Sequence, residues 1–169
     1  ATETDGPPGA VVIGSALQSI GFEVVYVTDR HTLSLMKAIA DPGARVIEFP
    51  IADDQASKSF AEKLMSQLNP SVVIAIERGG LTSEGLFRNM RGQEITEWTA
   101  RLDELFLAHP ATVGIGDGGN EIGMGSLVEQ VRAAPTLVRD PCVVGATHLV
   151  IAAVANWGAY GLVAALSRL

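Results

Sequence analysis

The chain has 169 residues, 47% of them hydrophobic, and 12 basic against 19 acidic side chains for a net charge of −7. That length buries one full core without disulfide or metal staples, and the acidic balance leaves no basic stripe for a phosphate backbone, so nucleic acid is not an expected partner. The lone Cys142 has no second cysteine to pair with, no apolar run reaches a bilayer's width, and residues 1–5 have neither signal nor transit character; the expectation is a soluble cytoplasmic protein, or one of an organelle matrix in a eukaryote.

Pro7 and Pro8 open a helix over 9–20 that Gly21 stops, and 23–28 (EVVYVT) reads as a strand. A helix over 31–40 and a strand over 45–49 follow. Asp53 and Asp54 cap a helix reaching Leu68, where Asn69-Pro70 ends it, and 71–76 (SVVIAI) is a fully apolar strand. A polar loop occupies 77–94, 96–108 has helical spacing, and 112–115 is the next strand. A helix over 126–133, apolar segments at 142–144 and 149–153, and a helix over 157–169 complete the chain. Strands without polar alternation, separated by amphipathic helices, define a three-layer α/β class with a mostly parallel sheet covered on both faces. A single domain over 1–169 is expected. The loop from Glu3 to Gly9 has the look of one that follows a strand, so a first strand is trimmed or disordered, or the sheet begins one strand late.

In open α/β sheets ligands lie beyond the carboxyl ends of the strands. Four such ends are polar: Glu3 to Gly9, Thr28-Asp29-Arg30, Glu77-Arg78-Gly79-Gly80, and Gly116-Asp117-Gly118-Gly119-Asn120-Glu121. Gathered at one edge, Glu3, Asp5, Glu77, Asp117 and Glu121 form a carboxylate cluster that needs a cation or shared protons to relieve its repulsion. An all-oxygen donor set favours Mg²⁺ or Mn²⁺, with Ca²⁺ a third candidate, over zinc. The competing reading makes these acids helix caps, since Asp5 and Asp117 both stand where a helix can begin. Six of the 18 glycines fall between Gly114 and Gly125, where positive φ or close approach of a ligand to the backbone is the usual reason. Gly114-x-Gly116-x-x-Gly119 also fits a dinucleotide-binding pattern, but Asp117 would lie in the loop that must cradle pyrophosphate; no nucleotide cofactor is expected.

Arg78 and Arg91, in a segment that also holds Asn89, are candidates to clamp a substrate carboxylate, or else to pair with neighbouring acids. Asn156 is a cap of the last helix or a polar contact into the site. His31, His109 and His148 lack ligand spacing, and Cys142 reads as packing.

The segments Glu3-Thr-Asp-Gly-Pro-Pro-Gly-Ala10, Ile76-Glu-Arg78, Asn89-Met-Arg-Gly92, Ile115-Gly-Asp-Gly-Gly-Asn-Glu-Ile-Gly-Met-Gly125 and Asn156-Trp-Gly158 together resemble the D-glutamate cyclase C-terminal-like family, long described as a domain of unknown function. The resemblance runs from Glu3 almost to the end of the chain; Gly79-Gly80 stands where relatives usually show proline then glycine. It implies a Rossmann-like domain and an enzyme of the lyase type that converts D-glutamate to 5-oxo-D-proline and water. On that implication Asp117 or Glu121 takes the ammonium proton, and a metal at Glu3, Asp5 or Glu77 polarises the γ-carboxyl. Gly118, Gly119 and Asn120 line the oxyanion, while Arg78 or Arg91, with Asn89 and Asn156, holds the substrate. Two other classes use the same acids: metal-dependent hydrolysis of a small phosphorylated or amide substrate, and non-catalytic ligand binding. A homodimer is compatible with the high apolar content.

Overall fold

The computed structural model describes residues 4–135 and 138–168. Its elements are α1 (Pro7–Ser19), β1 (Val25–Thr28), α2 (Arg30–Ile39), β2 (Arg45–Glu48), α3 (Asp54–Leu68), β3 (Val73–Ile76), α4 (Asp103–Leu107), β4 (Thr112–Gly116), α5 (Val128–Ala133), β5 (His148–Ile151) and α6 (Ala155–Leu166). All strand pairing among them is parallel, but it falls into two open sheets, β1-β2 and β3-β4-β5, rather than one.

Alternation along the strands explains the layers. In β3, Ile74 and Ile76 pack with Val113, Ile115 and Val150 against Ile13 of α1 and Ala159 of α6. Val73 and Ala75 point the other way, onto Leu64 of α3 and Leu105 and Phe106 of α4. Successive side chains on a strand face opposite sides, so an uninterrupted apolar run such as VIAI fills two cores at once. Among the described residues no helix is long and apolar enough to cross a membrane.

The helix expected over 96–108 is broken in two. A 3₁₀ turn spans Thr96–Trp98, Thr99 is extended at φ −119° and ψ 122°, and α4 begins only at Asp103. The Thr99 hydroxyl donates to the Ile95 carbonyl at 2.9 Å, and the Ala100 carbonyl accepts from Arg78 Nη2 at 3.1 Å. Local hydroxyl bonding and a distant guanidinium thus take the place of helical i→i+4 pairing. The apolar segment at 142–144 joins no sheet; Cys142 N–H donates to Gly119 O and Val143 N–H to Leu81 O, tying it between two loops.

The glycine-rich stretch folds back onto β4. A Cβ on Gly114 would lie 2.8 Å from the Gly123 Cα, and one on Gly125 would collide with the Val143 and Val144 backbone. The glycines at 114 and 125 therefore admit other protein backbone rather than a ligand. Gly125→Ala is expected to destabilise by about 2–3 kcal/mol, since backbone cannot yield as a side-chain tip can. Gly161→Ala, in α6 with open space around it, is expected to stabilise by about 0.5–1 kcal/mol. Urea unfolding of the two variants checks both signs.

Candidate functional site

Three strand-end segments converge beyond the carboxyl edge of β3 and β4. Glu77 follows β3 with φ +50°, a left-handed conformation uncommon outside glycine. Asp117 follows β4, and Asp5 lies in the loop ahead of α1. One carboxylate oxygen from each of Asp5, Glu77 and Asp117 lies within 4.8 Å of the others, and all three residues are half-buried. Glu3, expected alongside them, is outside the described residues.

Asp5 does cap a helix, but not the one that follows it. Its Oδ1 accepts from Asn156 N–H at 2.8 Å and Gly6 N–H at 3.0 Å, and its Oδ2 from Ala155 N–H at 3.1 Å, so it caps α6. Asn156, expected as a cap of the last helix, is the second residue of α6 and serves α1 instead. Its Oδ1 accepts from Gly9 at 2.8 Å and Gly6 at 3.1 Å, while Nδ2 donates to Thr4 O at 3.1 Å. Each helix N-terminus is satisfied by a side chain from the other's entry.

Glu121 is 1% exposed, and its carboxylate accepts from Gly119 N–H at 2.7 Å and Gly118 N–H at 3.0 Å. It holds the glycine loop in shape, and the two amides expected to receive an oxyanion are directed at it. Asn120, half-buried at the loop tip, keeps its side-chain amide near Gly118.

Arg78, 21% exposed, reaches Asp29 Oδ2 at 2.6 Å. Asp29 itself caps α2 through the His31 N–H. This ion pair, with the Ala100 carbonyl, fixes the guanidinium. Asn89 turns inward on its own hairpin, accepting from Arg91 and Gln93 N–H groups at 3.0 Å, and Arg91 is exposed at the hairpin tip. The structure does not gather Asn89 and Arg91 with the three carboxylates.

One buried acid has no counterpart among the residues expected from sequence. Asp103 is 1% exposed and neither of its oxygens has a hydrogen-bond partner. Burial pushes its carboxyl up to about 6, against partial relief from the Arg101 and Arg78 guanidiniums. An acid at the head of a helix is ordinarily solvated, so no local signal marks it as buried. Cys142 is pushed up to about 12, chiefly by burial, and stays a thiol rather than a nucleophile.

A carboxylate-only donor set suits a hard divalent ion. Asp5 already accepts three N–H groups, leaving one lone-pair direction, which is enough for a single metal bond. The residues therefore fit such an ion.

Parallel strands with helices on both faces define a Rossmann-like α/β domain, with polar residues beyond the strand carboxyl ends. The chain belongs to the D-glutamate cyclase-like, C-terminal family, whose model matches residues 1–169. It is similar to the human protein "D-glutamate cyclase, mitochondrial", with 36% identity over 184 residues covering 97% of this chain. The chain spans 29% of the length of that curated relative.

The Asp103 carboxyl binds its proton more tightly in the folded than in the unfolded chain. Its contribution is therefore fully present below about pH 4 and is lost as pH rises toward about 6, for a total of about 3 kcal/mol. Denaturant unfolding of the protein and of Asp103→Asn from pH 4 to pH 7 should show the variant gaining relative stability across that window, and a constant difference would contradict it.

Proposed function

We propose that this chain is a D-glutamate cyclase-like enzyme, of the lyase type, that closes D-glutamate to 5-oxo-D-proline and water with a divalent ion in its site. The observation that carries the reading is the meeting of Asp5, Glu77 and Asp117 within 4.8 Å in a chain of this family.

The reaction forms one C–N bond, between the α-amine and the γ-carboxyl carbon, and breaks one C–O bond. Two protons leave the ammonium nitrogen and depart with the carboxyl oxygen as water. Asp117, half-buried beyond β4, takes the ammonium proton. Arg78, fixed by Asp29, turns its remaining N–H donors to the substrate α-carboxylate. Asn120, half-buried in the glycine loop, supplies an amide donor for the charge that develops on the γ-carboxyl oxygen. Glu121 acts as a positioning residue, through the loop amides that it orders. Asp5, Glu77 and Asp117 would hold Mg²⁺ or Mn²⁺, with Ca²⁺ a third candidate; when bound, the ion supplies Lewis acidity toward the γ-carboxyl.

Incubation with D-glutamate, followed by chiral chromatography, should yield 5-oxo-D-proline, and Asp117→Asn should lower the rate by roughly 10²-fold or more. Unchanged turnover in that variant would remove Asp117 from the mechanism. Chelator-stripped protein is expected to gain about 5–10 °C in Tm at an ion concentration near 100 times Kd, from about 2.7 kcal/mol of linkage. Glu77→Gln should abolish the shift, and no response to any of the three ions would exclude the metal.

A further inference from the structure

The outer edges of the two sheets are defended differently. β2 pairs only with β1, and its exposed ends carry Arg45 and Glu48. β5 pairs only with β4, in unbroken register, and its residues (HLVI) include no acid, lysine, arginine or proline. Such residues ordinarily blunt an edge strand, because a row of free N–H and C=O groups recruits another strand. Ala152 N–H donates inward to Gly116 O, so alternation along the strand turns the backbone groups of Leu149 and Ile151 outward, away from β4. The Ile151 side chain beside them is 51% exposed.

The helix next to this edge is equally undefended. α6 (ANWGAYGLVAAL) carries no charged residue. It sits over the boundary between β4 and β5, since a Cβ on Gly158 would lie 3.0 Å from Ile115 and 3.3 Å from Val150. Ala159, the next residue, faces Gly9 of α1. At about 100° per residue, Trp157, Gly161, Ala164 and Ala165 form the face turned away from α1, on the side of the free edge. All four are exposed, Trp157 at 63%, and the space around Gly161 is open. A helix facing water ordinarily places charged and polar residues there.

We propose that β5 and α6 form the interface of a two-fold homodimer, in which β5 pairs antiparallel with the same strand of a second copy and α6 packs on its counterpart. Self-complementarity selects the occupant. The partner must present a free strand edge with an uncharged helix flank on the same side of the sheet, and a two-fold axis normal to the sheet supplies both from this chain. Opposite residues of an antiparallel pair share a face, so the axis passes through a residue rather than between two. Placed at Val150, it sets Leu149 opposite the partner's Ile151, and the outward N–H and C=O groups then satisfy one another. With strands about 4.8 Å apart, α6 stands about 10 Å from its copy, a close-packed helix spacing that residues no larger than alanine at 161, 164 and 165 admit. Two copies of net charge −7 repel, and this face lets them meet without opposed like charges. The exposed surface of β5 and of this face of α6 amounts to roughly 600 Å² per copy, the lower limit for one partner in a specific dimer, so micromolar affinity is expected. The proposal is independent of the reaction at the carboxylate site.

Sedimentation equilibrium of the chain from about 1 µM to about 500 µM should show the mass rising from 17.7 kDa toward twice that value. Over the same range, backbone amide exchange at Leu149 and Ile151 should slow at least tenfold. The outward amides of Val46 and Glu48 on the β2 edge serve as controls and should not change. Ala165→Glu and Ile151→Lys, both at exposed positions, should each hold the chain at the monomer mass with an unchanged circular dichroism spectrum. A chain that remains monomeric at the top of the range overturns the proposal. A dimer that persists in both variants, or that leaves the amides of 149 and 151 unprotected, uses another face and also overturns it. Protection of those amides at constant monomer mass would mean that the edge is closed within one copy, which overturns it as well. If one variant fails to fold, the other variant and the exchange of the unmodified chain decide between the same outcomes.

Discussion

Two helix N-termini that satisfy each other anchor the polar end of this protein. Asp5 closes the first turn of α6 while Asn156 closes the first turn of α1, across 151 positions of chain. Gly9 makes the exchange possible, because a Cβ there would sit 2.9 Å from both Ala159 Cβ and Asn156 Oδ1. Each bond is worth on the order of 1 kcal/mol, but its larger consequence is geometric. The loop ahead of α1 is held at the strand ends, where Asp5 meets Glu77 and Asp117. Neither helix end could be moved without dispersing the carboxylates.

The glycine-rich loop divides its two acids by environment. Glu121 is buried against amides donated by its own loop, which satisfies the charge and fixes the turn. Asp117, four residues earlier, remains half-buried at the strand end and faces the other carboxylates. The glycines that allow this are required by protein contacts: Gly114 against Gly123, and Gly119 at φ +115° against Val131. Close packing of loop on sheet, rather than approach of a ligand, explains the run of residues without side chains.

On the opposite side of the site, Arg78 links three distant segments through β3's end, the α2 cap at Asp29 and the Ala100 carbonyl. That guanidinium breaks what local spacing would make a continuous helix over 96–108. Asp103, at the start of α4, is enclosed without a hydrogen bond, a cost that tertiary packing imposes on a residue whose sequence position is unremarkable.

The sequence by itself determined the class of fold, the strand positions and the edge at which polar residues collect. Apolar periodicity, proline, glycine and the first residues after each strand are all local properties, and SVVIAI or the Asp53 cap can be read from neighbours alone. Only the tertiary structure decided which acids meet, which become caps and which are buried. Asp5 and Asn156 exchange roles over 151 positions, Glu121 turns onto its own loop, and Asn89 and Arg91 stay in their hairpin. Partner choice among such groups depends on how separate elements pack, and no pattern within one element encodes it.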